Sequence, residues 1–181
     1  MIILASKSPR RKELLKKIYP SFCIRVSDKD EMATGDTPEE KCVSVAIQKA
    51  LTVEHDENDV VIAADTMVYM DGRYFGKPKD RSDAIDMLKT LSGKTHYVYT
   101  GFAILFCGKV YKGYDVSEVK FKTLSDDDIL SYIASGSPFD KAGAYGIQDG
   151  VVVESYKGSF DNIMGFPTEK IKEKLMTIGA V

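Results

Sequence analysis

The chain reads as an α/β protein built on a mixed sheet, and three features predict it. Apolar runs of strand length, Ile2 to Leu4 and Val60 to Ala64, mark buried strands. Alternating stretches broken at Asp71-Gly72 and Cys107-Gly108 read as hairpins, so the sheet is not purely parallel. Helix-start signals fall between these segments, interleaving helices with strands.

Residues 2–5 form the first strand and 9–18 the first helix, with Pro9 at its first position and Leu14, Leu15 and Ile18 on one face. A strand at about 22–27 follows. Asp28, Asp30 and Glu31 lead into a loop with Gly35, and Thr37-Pro38-Glu39-Glu40 has the pattern of a capping box, opening a helix over 38–53. The buried strand Val60 to Ala64 is expected to end abruptly at Asp65-Thr66 and deliver Asp65 to a cleft. Met67 to Phe75 is a hairpin turning at Asp71-Gly72, which Gly76-Lys77-Pro78 breaks.

Ser82 is expected to cap a helix over 82–91 that stops near Gly93. Residues 96–122 are two strands joined at Cys107-Gly108, and Ser125 with Asp128 starts a capped helix that runs to 134. Gly143 to Pro167 reads as a glycine-rich loop followed by a hairpin, and Thr168 as the cap of a final lysine-rich amphipathic helix. No Pro-, Ser- or Gly-rich linker divides the chain, so one domain over 1–181 is expected. Two lobes sharing a cleft also fit this length.

Twenty-five basic residues against 27 acidic ones leave no bulk positive charge, which argues against a dedicated binder of nucleic-acid polymers. Cys23, Cys42 and Cys107 are odd in number, widely spaced and without a C-x-x-C pair, which suggests neither a disulfide framework nor a zinc site and fits a reducing cytoplasm. With no signal-peptide pattern and no apolar run near the roughly 20 residues that span a bilayer, the expectation is a soluble cytoplasmic protein away from membranes.

The stretch Ala5 to Leu15, ASKSPRRKELL, carries the first chemical signal. Arg10, Arg11 and Lys12 stand at a helix start, where the positive end of the helix dipole disfavours cations. The helix at Ser125 instead opens on acids. A bound phosphate would relieve the conflict, helped by the Ser6 and Ser8 hydroxyls and the free N–H groups of the first turn. The competing reading is a solvated helix start with its arginines in water, and these residues alone do not separate the two.

Known nucleotide signatures are absent. Ser92-Gly93-Lys94-Thr95 resembles a Walker A ending but lacks the leading glycine and a preceding apolar strand, and no G-x-G-x-x-G follows the first strand. His55 and His96 are isolated, so surface or packing roles outweigh a catalytic dyad. Carboxylates, lysines and an anion-binding turn remain, the set that metal-assisted phosphoryl chemistry needs, with Glu31, Asp65 and Asp140 as candidate oxygen donors.

ASKSPRRKELL, AADTMVYMDGRYFGKP and DKAGAYGIQDG...GSFDNIMGFP stand in the order and spacing of the signature blocks of the Maf family, and the resemblance runs over essentially the whole chain. It implies an inosine-triphosphatase-like α/β fold, an elongated mixed sheet flanked by helices with two lobes around a cleft. The activity implied is that of a nucleoside triphosphate pyrophosphatase; the family has also been described as septum-formation inhibitors. By position, Asp65 matches the proton acceptor, and Arg11, Thr66 and Gln148 match positions linked to substrate choice in the branch that looks specific for dTTP and UTP. Ser8, Arg10, Lys49 and Lys77 match positions facing the phosphates, with Lys141 in the third block. Glu31 matches an acidic position tied to metal or catalysis, implying Mg²⁺ or Mn²⁺ as cofactor. One departure is Asp149, where glycine commonly follows the glutamine.

Each of these residues has a plainer reading: a turn role for Asp65, a snorkelling side chain for Lys49 beside Ala46 and Ala50, a solvated loop charge for Lys77, and backbone satisfaction for Thr66 and Gln148. The implied partner is a nucleoside triphosphate, CTP and modified pyrimidine nucleotides included, and the Tyr69, Met70 and Tyr74 hairpin is a candidate homodimer or partner surface. A regulator of cell division that grips a triphosphate without turning it over is the alternative.

Overall fold

A computed structural model describes residues 1–181. In chain order the elements are β1 (Ile2–Leu4), α1 (Pro9–Ile18), β2 (Cys23–Ile24), α2 (Pro38–Thr52), β3 (Val60–Met70), β4 (Arg73–Phe75), α3 (Arg81–Leu91), β5 (Thr95–Phe106), β6 (Lys109–Phe121) and α4 (Asp126–Ala134). Three 3₁₀ turns follow (Ser137–Asp140, Ala142–Ala144, Ile147–Asp149), then β7 (Val153–Lys157), α5 (Phe160–Met164) and α6 (Thr168–Thr177). The mixed α/β class predicted from sequence is the one observed. Seven strands form one mixed sheet in the order β2-β1-β3-β5-β6-β7, with β4 hydrogen-bonded to β3. β1 is parallel to β2 and β3, whereas β4 and β7 are antiparallel to their neighbours.

The chain divides into two compact units: residues 1–66, 100–115 and 165–181 form the first, and 67–99 with 116–164 the second. β3, β5 and β6 each pass from one unit to the other partway along their length. In the first unit, α2 sets Ala46 and Ala50, one turn apart, against Val61 and Ala63 of β3 and Ala103 and Leu105 of β5. Gly101 of β5 has no side chain because a Cβ there would collide with the α2 backbone at Cys42 and Val43. The second unit has its own core, in which Phe75, Leu88, Leu91 and Phe121 pack fully buried with Val119, Ile133 and Tyr145. His96 lies inside it, edge-on to Phe121 and Tyr145, with Nε2 2.8 Å from the Tyr145 hydroxyl. That is the packing role expected of an isolated histidine.

The helix starts and turns follow local chemistry. Thr37 and Glu40 form the expected capping box, and Ser125 with Asp128 forms another. Asp71-Gly72 and Cys107-Gly108 both turn in the left-handed region, as two-residue hairpin loops require.

Five expectations are corrected. β3 does not end at Ala64 but continues to Met70, because Asp65 and Thr66 stay in extended backbone and the strand goes on to pair with β4. The strand predicted at about 22–27 shrinks to Cys23–Ile24, whose exposed side chains give it little to bury. Asp80 rather than Ser82 caps α3, its carboxylate accepting from the Asp83 N–H at 2.8 Å, so Ser82 falls inside the first turn. No hairpin forms in 143–167: β7 pairs with β6 instead, and α5 follows it. Thr168 does not cap α6; its hydroxyl donates to the Phe166 carbonyl.

Candidate active site

Strand alternation decides where Asp65 points. Val61 and Ala63 face α2, so Asp65, two residues further along the same face, meets the helix residue beside Ala46 and Ala50, which is Lys49. Lys49 Nζ stands 2.8 Å from Asp65 Oδ1, with the two side chains 21% and 20% exposed. That leaves the pair shielded yet reachable from solvent. Cys42, buried about two turns before Lys49, has its thiol pushed up to about 12 by burial and then by the Asp65 charge, so it stays a neutral packing group.

Arg11 resolves the anomaly of a basic helix start. Its guanidinium does not extend into water: Nε donates to the Gly165 carbonyl at 2.8 Å, Nη2 to Thr66 Oγ1 at 3.2 Å and Nη1 to Ser6 Oγ at 3.4 Å. Desolvation lowers its pKa from the ordinary value, Asp65 opposes that shift, and Arg10 adds to it. Thr66 Oγ1 also shares a hydrogen bond with Thr100 Oγ1 at 3.0 Å, which the buried Thr100 brings from β5. Ser8 serves as N-cap, its hydroxyl oxygen accepting from the Arg11 N–H, and Arg10 is partly exposed on the same turn. Gly165, at φ 108°, would place any Cβ 3.0 Å from Thr66 Oγ1, so this close approach requires glycine.

The second unit assembles the third sequence block around Gly146. A Cβ at Gly146 would come within 2.9 Å of Lys141 Cε, Gln148 Nε2 and Gln148 Cδ, so its bare backbone is what lets those two side chains lie together. Lys141 is buried, donating to the Ser137 carbonyl at 2.6 Å, to Ser137 Oγ at 3.0 Å and to Asp140 Oδ1 at 2.8 Å. Gln148 is exposed. The Gly143 N–H reaches the Gly76 carbonyl at 3.1 Å, tying the segment that carries exposed Lys77 to the one that carries Lys141.

Within the first unit the fold thus brings Ser8, Arg11, Lys49, Asp65 and Thr66 together, and within the second Lys141 and Gln148. Sequence reasoning missed Thr100, Gly165 and Cys42 in one unit and Tyr132 and Ser137 in the other. A threonine inside the apolar β5 run was the readable signal for Thr100.

Nowhere do three or more His, Cys, Asp or Glu side chains converge in a way that could hold a metal ion. Glu31 is exposed in the loop before α2, and Asp140 is exposed and bonded to Lys141. Asp65 offers carboxylate oxygen on a partly open face. This donor set fits a hard cation that takes most of its ligands from substrate phosphates and water, and does not fit a cage built by the protein alone.

A dTTP/UTP pyrophosphatase of Thermococcus gammatolerans is 47% identical over 173 residues, spanning 94% of this chain and 93% of the relative. A dTTP/UTP pyrophosphatase of Clostridioides difficile is 46% identical over 181 residues, spanning 96% and 93%. Among solved structures, the Staphylococcus aureus Ham1 protein superposes with a TM-score of 0.54 over 98% of both chains at 17% identity, a likeness of fold. The family model described as Maf-like protein matches residues 1–178, and the chain belongs to the Maf family.

Proposed function

We propose that the protein is a nucleoside triphosphate pyrophosphatase that hydrolyses dTTP and UTP to the nucleoside monophosphate and pyrophosphate. The observation that carries this reading is the Lys49–Asp65 pair, a partly open carboxylate held by an ammonium in the same unit as the Arg11–Thr66 contact. The names of relatives at 46–47% identity support the substrate class.

In this mechanism water adds to phosphorus as the bridging P–O bond between the α and β phosphates breaks, and pyrophosphate leaves. Asp65 accepts the water proton, which requires the carboxylate to be steered by a fixed partner, and Lys49 is that partner. Arg10, Lys49 and Lys77 bind phosphate oxygens and stabilise the charge that builds on the leaving group, Ser8 binds phosphate as well, and Lys141 binds a phosphate oxygen by exchanging its Asp140 contact for it. Arg11, Thr66 and Gln148 select the base, the last two through groups that both donate and accept hydrogen bonds, as a pyrimidine edge demands. CTP and modified pyrimidine nucleotides present a related edge and fall within the proposed range. A divalent ion, Mg²⁺ or Mn²⁺, brought in on the triphosphate with Asp65 and Glu31 as carboxylate donors, would neutralise phosphate charge and acidify bound water.

The test is pyrophosphate release from a panel of canonical and modified triphosphates, with Mg²⁺, Mn²⁺ or chelator, in wild type and Asp65→Asn. Release from dTTP and UTP that disappears in the variant supports enzyme and branch together. Silence across the panel with triphosphate binding intact points to the regulator, and wild-type rates in Asp65→Asn remove the mechanism.

A further inference from the structure

We propose that Asp149 is a positioning residue for Gln148 and Lys141, resting on the reading that these two contact the nucleotide. Two hydrogen-bond relays end on one oxygen of its carboxylate. In the first, the Gly146 N–H donates to the Tyr132 hydroxyl at 2.9 Å, and that hydroxyl donates to Asp149 Oδ2 at 2.6 Å. In the second, the Lys141 ammonium donates to Ser137 Oγ at 3.0 Å, and that hydroxyl donates to the same Oδ2 at 2.6 Å.

Donor and acceptor accounting makes the direction compulsory. A backbone N–H and an ammonium can only donate and a carboxylate oxygen can only accept, so each hydroxyl between them receives on its oxygen and sends its single proton to Asp149. Both protons need an acceptor at their common end. Asp149 supplies it, and its backbone sits directly after Gln148 on the last 3₁₀ turn. The carboxylate therefore clamps the two ends of the 146–149 segment to α4 and to the first 3₁₀ turn, holding Gln148 and Lys141 in one register over Gly146. A glycine at this position would leave both hydroxyls without that acceptor. Tyr132, Ser137 and Asp149 also line a cavity of about 570 Å³, so truncating Asp149 removes hydrogen bonds without disturbing close packing.

The experiment compares Asp149→Ala, Asp149→Asn and Ser137→Ala with wild type in steady-state turnover of UTP, dTTP and a purine triphosphate. Asp149→Ala is expected to raise KM for UTP roughly five- to tenfold, the scale of one or two hydrogen bonds, with kcat within about twofold, and to narrow the preference for UTP over the purine. Asp149→Asn, whose amide oxygen still accepts, is expected to recover most of that loss. Ser137→Ala breaks only the Lys141 relay and is expected to raise KM with little change in base preference. This variant decides the matter should Asp149→Ala fail to fold. Wild-type KM and selectivity in Asp149→Ala, or failure of asparagine to recover them, overturn the positioning role while leaving the proposed activity intact. A wild type inactive on UTP and dTTP overturns both.

Discussion

A single arginine shows how side-chain geometry outweighs charge in this site. Arg11 uses three of its donors on three different oxygens, those of Gly165, Thr66 and Ser6, and only a planar fork reaches all of them. Arg11→Lys keeps the charge but not the fork, and is expected to lower kcat/KM for UTP at least tenfold, measurable by steady-state kinetics. Gln148→Glu replaces a donor-acceptor amide by an acceptor-only carboxylate, so the expected outcome is a change in relative kcat/KM among UTP, dTTP and purine triphosphates exceeding any change in kcat. Equal selectivity before and after the change removes Gln148 from base reading. Asp65→Asn tests the proposed proton acceptor most directly, with a loss on the order of 10²- to 10⁴-fold in kcat expected.

At the scale of elements, helix α2 is placed by a glycine outside it. Because Gly101 lets the helix backbone lie directly on β5, Gly101→Ala forces α2 away from the sheet. It is expected to destabilise the protein by about 2–3 kcal/mol in urea titration, and to reduce turnover as well, since the same helix aims Lys49 at Asp65. Thr37→Ala is milder: removing one half of the capping box is expected to cost about 1 kcal/mol. The helix starts that were legible in sequence share this local logic, in which cap and capped N–H lie three residues apart. The miss at Ser82 belongs to the same chemistry, since Asp80 is an equally good cap two residues earlier and its carboxylate reached the free N–H.

For the whole molecule, the buried histidine sets a dependence of stability on pH. Burial lowers the His96 pKa from 6.5 to about 4, and Nδ1 has no hydrogen-bond partner inside the core. The unfolded chain therefore binds a proton between these values that the folded protein refuses, so stability is complete above about 6.5, falls as pH drops toward 4 and levels off below it. The full loss is on the order of 3 kcal/mol. Urea midpoints between pH 7 and pH 4 check this, with the His96→Phe slope expected to be flatter than wild type.

What the sequence determined by itself was whatever depends on neighbours a few residues apart: the bounds of α1, the capping boxes, the turns at Asp71-Gly72 and Cys107-Gly108, and the signature blocks that mark the family. Only the tertiary structure decided that β3 runs on through Asp65, that Arg11 turns inward to a carbonyl 154 residues away, and that Lys141 and Asp149 join one network. Local propensity acts through bonds closed within a turn, whereas these contacts exist only after strand order and the pleat have chosen which distant residues share a face.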